Sequence, residues 1–293
     1  MNASMVRDGV RNLMPYLFLP VAFPDHLIRP AVRILMYHRV ARLPGFDQLT
    51  VTPERFEEQI AALKSRWRVV TLAQAVTELE NGGPPGPTAV VTFDDGYRDN
   101  LVNALPVLRR HDVPATIFVT AGFSDGSRRH PRYPDEPGRL HLDWDEIATL
   151  AREPGISIGS HTLTHPFLTR LDDKAAEREV AGSRREIAER IGVDVDFFCY
   201  PSGDVTARER ALAAAAGYRA AVSVCPGGNR DARERFTLRR TEVTDRDGGR
   251  ELTLKLMGAY DPVHLLLHRR REWAFARARR VSSTPAATTG SSA

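Results

Sequence analysis

The stretch Ala89 to Tyr97, reading Ala-Val-Val-Thr-Phe-Asp-Asp-Gly-Tyr, constrains the fold more than any other. Four residues suited to a buried strand, Val90 to Phe93, run directly into two carboxylates and a glycine. The strand therefore ends by presenting acids at its C-terminal edge, which is where α/β proteins keep their chemistry. Successive side chains on a strand point to opposite faces, so Asp94 and Asp95 serve different ends unless Gly96 bends the chain between them. Taken alone, the segment is also what a strand followed by an Asp-Gly turn looks like.

Segments of the same kind recur along the chain. Val32 to Val40 is apolar and β-branched and reads as a first strand, with His38 near its C-terminal end. On its own, a histidine there reads as a hydrogen-bonded structural residue. Thr52-Pro53-Glu54 opens a helix whose buried stripe is Phe56, Ile60 and Leu63. Trp67 to Val70 reads as a short strand, and Thr71 caps a second short helix running to Leu79. Asn100 to Arg110 is helical in pattern, with Pro106 marking a kink or a new start. Pro114–Thr120, Ile156–Ser160, Val195–Tyr200, Tyr218–Val224 and Phe236–Val243 read as further strands. Helices are expected over Asp143–Ala151, Asp172–Gly192 and Thr206–Ala216. Strand, helix, strand is the order of a parallel crossover. The class is α/β, and 293 residues with 42% hydrophobic content suffice for one barrel with tails. Gly122 to Leu142 is polar and too long for a simple connection, so it either shapes a cleft or lacks fixed structure.

The strand Ile156–Ser160 runs into His161-Thr-Leu-Thr-His165-Pro166. Histidines four apart lie on one face of a helical turn, close enough to grip one ion, and Pro166 confines the pair to a short turn. Two imidazoles and one carboxylate leave positions open for water and substrate, the pattern of a catalytic metal ion. A structural site would be closed by four ligands.

Composition excludes other classes. Formal charge is +4, only three of the 41 basic residues are lysines, and no basic stripe is interleaved with aromatics, which argues against nucleic acid. Cys199 and Cys225 form neither a ligand-spaced pair nor a disulfide framework. Residues 1–30 are read as an N-terminal extension. Its apolar patch, Tyr16 to Phe23, is broken by Pro20 and matches a signal peptide poorly. No run approaches the roughly 20 apolar residues of a membrane span, so a cytoplasmic location is expected. Residues 31–247 are expected to form the barrel and 248–280 a helical extension. In that extension the arginine-rich helix His264–Arg280 covers the barrel or, as the rival reading, touches an anionic membrane surface peripherally. Val281–Ala293 is a polar tail expected to be disordered.

Thr92-Phe93-Asp94-Asp95-Gly96-Tyr97 and Ser160-His161-Thr162-Leu163-Thr164-His165-Pro166 together resemble the polysaccharide deacetylases, carbohydrate esterase family four. The resemblance extends from about Ile34 to Val243, with Cys199-Tyr200-Pro201-Ser202-Gly203 standing where the family has a third motif. It implies a distorted (β/α) barrel of about seven strands that removes acetyl groups from N-acetylated glycans with a divalent metal, zinc first among the candidates. By position, Asp94 looks like the general base, and Asp95, His161 and His165 look like the metal ligands. The backbone amide near Ser202 looks suited to the oxyanion.

Three departures follow. Cys199 replaces the family's base-orienting arginine, and Arg240 on a later strand is the proposed substitute. Ser202 stands where a tyrosine is usual. No late Leu-x-His motif is present, since His264 and His268 fall in the atypical C-terminal region. Members that begin with a Met-Tyr-His strand look circularly rearranged, and Met36-Tyr37-His38 fits that type, which makes His38 the candidate general acid. Two rival functions are an amidohydrolase of small non-sugar amides and a non-catalytic glycan-binding relative.

Overall fold

The computed structural model describes residues 30–133, 136 and 138–270. Its strands are β1 (Val32–Tyr37), β2 (Arg39–Val40), β3 (Thr50–Val51), β4 (Arg68–Val69), β5 (Thr88–Phe93), β6 (Ala115–Val119), β7 (Ile156–Ser160), β8 (Phe197–Cys199), β9 (Ala220–Val222) and β10 (Arg240–Glu242). Seven of them run in the order β10-β1-β5-β6-β7-β8-β9, every pairing parallel. A parallel bridge from Val222 to Leu238 spans the remaining gap between β9 and β10, so the ring is nearly closed. β4 pairs with the start of β5, and β6 takes over the same edge from Val91 onward. β2 and β3 form a small parallel pair at the rim.

Between the strands lie α1 (Pro53–Lys64), α2 (Leu72–Glu80), α3 (Leu105–His111), α4 (Ala121–Ser124), α5 (Trp144–Ala151), α6 (Asp173–Glu177), α7 (Ser183–Ile191), α8 (Ala207–Ala215) and α9 (Gly249–Leu256). Their starts are set by local chemistry. Thr52 caps α1 with Pro53 in its first turn, and Asp143 and Glu146 form a capping box at α5.

Alternation along the strands separates two apolar layers. Leu35, Val91, Ile117, Ile158, Phe198 and Ala221 face outward, in the layer that packs against the helices. Val32, Ile34, Val90, Phe118, Phe197 and Val222 face inward, where Leu72, Val76 and Leu79 of α2 join them and close the N-terminal end. Gly159 occupies an inward position of β7 because Phe118 fills the space: a Cβ there would lie 2.4 Å from the ring. At the other end the inward register passes to Asp94, His161, Cys199 and Arg240, so the strand parity that builds the core also delivers the polar residues.

Some expected elements are divided. Asn100–Ala104 is a π-helical turn before α3, whose first turn holds Pro106, a residue with no N–H to donate. The helix expected over Asp172–Gly192 is α6, a π-helical segment Arg178–Gly182, and α7. The strand expected from Phe236 starts only at Arg240, after a 3-10 turn at Arg235–Thr237. Leu252 and Leu256 of α9 are buried in the outer layer with α1. Residues 261–270 are helical and leave Leu266 and Leu267 more than half exposed. The N-terminal patch Tyr16–Phe23, the remainder of the helix expected to Arg280 and the tail Val281–Ala293 lie outside the described residues. Among the described residues no helix is long and apolar enough to cross a membrane.

Candidate active site

β5 ends by reversing backbone hand. Asp94 keeps the inward register, whereas Asp95 (φ +68°) and Gly96 (φ +64°) are both left-handed, which turns the second carboxylate up onto the rim. A Cβ at Gly96 would come within 3.0 Å of Val119 Cγ1, so this turn demands glycine. Of five described non-glycine residues with positive φ, four are Asp95, Thr162, His165 and Ser202. Such conformations are uncommon, least tolerated by β-branched residues such as Thr162, and they concentrate at functional sites.

Asp94 lies in the barrel with every oxygen engaged. Arg240 Nη1 donates to its Oδ1 and Nη2 to its Oδ2, each at 2.7 Å. Arg240 further donates to Ser223 O at 2.9 Å, Thr92 Oγ1 at 3.2 Å and Cys199 Sγ at 3.1 Å. Burial alone would raise the Asp94 carboxyl, but the guanidinium overrides it and holds that carboxyl far below the usual range.

Asp95 is the opposite case. Its Oδ1 is buried without a hydrogen-bond partner and stands 3.4 Å from Nε2 of His161 and 3.4 Å from Nε2 of His165. His161 Nδ1 lies 2.8 Å from Cys199 O, an acceptor, which places its proton on Nδ1 and turns the Nε2 lone pair toward Asp95. Burial lowers His161 to about 3 and lowers His165, while it pushes Asp95 up to about 6. The His161 lone pair and the His165 Nε2 thus converge on one carboxylate oxygen. A divalent cation fits that donor set, and ligand atoms of all three residues lie within 4.8 Å of one another. Asp94, His161 and Cys199 also approach within that distance, but Arg240 already engages Asp94 and Cys199.

The histidines lie on a short turn at the strand's end, and it is left-handed at two positions. Thr162 and His165 have φ of +72° and +59°. Pro166 disfavours the right-handed helical region for His165. Glu179 then gathers the turn: its Oε2 accepts from the backbone of Leu163 and Thr164, each at 2.9 Å, and its Oε1 from the Thr164 hydroxyl at 2.7 Å. The rings still converge, with centroids 4.8 Å apart.

His38 follows β1, and its Nε2 lies 3.9 Å from Asp94 Oδ2. The π-helical turn after β5 fixes it from behind, since Asn100 Nδ2 donates to His38 O at 2.8 Å. Ser202, with φ +55° in the 3-10 turn Pro201–Gly203, lines the same cavity of about 550 Å³ as His38, Asp94, Asp95, His161 and His165. Arg240 lies beneath it. His264 stacks on Tyr260 and His268 lines a separate cavity, so neither belongs to this group.

One neighbour escaped sequence reasoning. His130, from the Gly122–Leu142 segment, brings Nε2 to 3.5 Å from Asp95 Oδ2. The segment is tied down: Glu136 accepts two hydrogen bonds from Arg39 at 2.6 and 2.7 Å, and Asp47 accepts one from Tyr133 at 2.6 Å. No periodicity connects His130 to a strand end. The available signal was two histidines, 130 and 141, among the aromatics Phe123 and Tyr133 of a polar segment.

A nearly closed parallel barrel with acids and imidazoles gathered at its C-terminal rim is the architecture of a (β/α)-barrel enzyme. A family model for polysaccharide deacetylases matches residues 81–221. YxkH of Bacillus subtilis (strain 168), itself assigned as a polysaccharide deacetylase, is 29% identical over 213 residues, 72% of this chain and 71% of its own. The chitooligosaccharide deacetylase of Rhizobium leguminosarum bv. trifolii is 33% identical over 109 residues, 37% of this chain and under half, 43%, of its own. In fold, the chain resembles the Streptococcus pyogenes deacetylase PplD solved with acetate: TM-score 0.68 at 21% identity, covering 77% of this chain and 98% of that one. Residues 81–221 are thus of the polysaccharide deacetylase family, and the deacetylase relatives support a hydrolase of N-acetyl amide bonds.

Proposed function

We propose that this chain removes N-acetyl groups from a polysaccharide or glycan precursor with a divalent cation, zinc by its donor set, held by Asp95, His161 and His165. The observation that carries the reading is the buried, unpartnered Asp95 Oδ1 facing two imidazole nitrogens at 3.4 Å. Such a cation supplies a lowered pKa, towards about 7, for the attacking water and polarisation of the acetyl carbonyl.

The chain's own residues perform the rest. Asp94, kept ionised by Arg240, accepts the proton of the attacking water. Arg240 is a positioning residue: its two parallel hydrogen bonds fix the carboxylate plane against the cavity floor. The Ser202 N–H, carried into the cavity by a left-handed turn, donates to the oxyanion of the tetrahedral intermediate. His38 delivers a proton to the leaving amine, so one amide and one water become one amine and one acetate. The cavity's size supports a saccharide in place of a small amide, and the chitooligosaccharide relative supports an N-acetylglucosamine unit.

Acetate release from N-acetylglucosamine oligomers, with and without chelator, tests the reading. Chelator-sensitive release is the expected outcome. Release from small amides alone would favour the amidohydrolase, and saccharide binding without release would favour the non-catalytic relative. A second reading concerns attachment. The exposed Leu266 and Leu267 beside Arg269 and Arg270 support peripheral contact with an anionic membrane surface, and cosedimentation with anionic but not neutral vesicles tests it.

A further inference from the structure

The segment 122–142 does more than wall the cavity. We infer that His130 is a positioning residue for Asp95: its Nε2–H holds Oδ2, so that the carboxylate presents Oδ1 alone to the cation shared with His161 and His165. This rests on the reading of the site given above and adds to it a fourth side chain, from a segment outside the two motifs.

The tautomer is set by the backbone. Arg132 N–H donates to His130 Nδ1 at 3.2 Å, which leaves the ring's proton on Nε2, the atom 3.5 Å from Asp95 Oδ2. Rings of Tyr97, Phe123 and Tyr133 surround it at centroid distances of 5.8, 5.6 and 5.8 Å, and it is 7% exposed. Arg39 lies over the Tyr133 ring at 4.8 Å while binding Glu136 and Asp99. The ring's place is therefore fixed by packing and by ion pairs on both sides of it.

The two oxygens of Asp95 consequently meet different environments: Oδ1 faces two lone pairs and Oδ2 faces an N–H. A carboxylate free to rotate would offer either oxygen, or both, and would lose that freedom on binding an ion. Holding Oδ2 in advance removes this cost. Partners of this kind, one bond removed from a metal, change affinity by about 10–100-fold when deleted.

The test measures zinc affinity of the full chain, stripped of metal, by competition with a chromophoric chelator. His130→Ala is expected to weaken binding by about 10–100-fold, and His130→Gln, which keeps an N–H donor, to recover most of the loss. His141→Ala removes a ring of the same aromatic cluster that does not contact Asp95, and it should leave affinity at the wild-type value. Unchanged affinity in His130→Ala, or an equal loss in His141→Ala, overturns the inference. So does a cobalt-substituted His130→Ala spectrum showing a lost nitrogen ligand, since His130 would then bind the ion directly. Asp95→Asn separates the two readings: if it binds zinc as wild type does, the site assignment itself fails, whatever His130 does.

Discussion

The interior of the barrel and its rim treat two consecutive carboxylates in opposite ways. In the interior, Asp94 is met by a buried guanidinium with matched geometry, and burial loses to charge pairing. On the rim, Asp95 is equally buried but faces lone pairs, and burial wins, pushing its carboxyl up to about 6. Sequence separates the two by one peptide bond; a left-handed φ at Asp95 separates them in function. A carboxylate met by a guanidinium is fixed in place, whereas one met by nitrogen lone pairs suits a cation.

The sharpest way to break this comparison is to remove the rim charge. Asp95→Asn should abolish tight zinc binding and reduce acetate release to background while the barrel still folds, because relieving an unpaired buried charge does not destabilise it. A variant that melts early and yet binds zinc normally would mean that Asp95 is structural. In the interior, Asp94→Asn should cut turnover by about 10²–10⁴-fold, the usual worth of a general base, with zinc affinity unchanged. Arg240→Ala should instead be felt in stability. Stranding Asp94 as an unpaired buried charge costs about 3–5 kcal/mol, readable by denaturant titration.

Acidity sharpens the contrast. With its carboxyl near 6, Asp95 in the metal-free protein takes up a proton below that pH, whereas burial holds His161 down at about 3 and lowers His165 from the ordinary imidazole value. Zinc affinity should be level above about pH 6 and fall about tenfold per unit below it, as a ligand carboxylate takes up its proton. A fall of about a hundredfold or more per unit, the mark of two or more protons competing with the ion, would show that the imidazoles are not desolvated as described. Asp94 contributes the reverse sign to stability: its depressed carboxyl stabilises the fold above the unfolded value, and that contribution is lost only as strong acid protonates it. The smallest effect belongs to the barrel wall. Gly159→Ala forces a methyl into the Phe118 ring and should cost about 1–3 kcal/mol without altering zinc affinity.

The barrel was legible because buried parallel strands read as unbroken apolar runs. The strand ending at Phe93 and the strand Ile156–Ser160 are bounded by the very residues proposed to carry the chemistry. Charge balance names Arg240 for Asp94, and the two meet at 2.7 Å although 146 positions apart, because both occupy the inward register on strands that flank β1, and the arginine side chain reaches from the start of β10 to the end of β5. Local hand was not legible. Nothing in Thr162, a β-branched residue, announces φ of +72°, so the spacing and Pro166 show a short turn bringing His161 and His165 together but not its left-handed backbone. His130 was hidden for another reason: it reaches the site through contacts between distant segments, the Arg39–Glu136 ion pair and the hydrogen bond from Tyr133 to Asp47, which leave no period in the chain.

The proposed cation at the rim, held by Asp95, His161 and His165, is required for amide hydrolysis. Its most direct measurement is acetate released from N-acetylglucosamine oligomers by metal-stripped protein as zinc is added back. The account predicts no release from the stripped protein and full recovery at one equivalent of zinc per chain. Undiminished release from the stripped protein would contradict it.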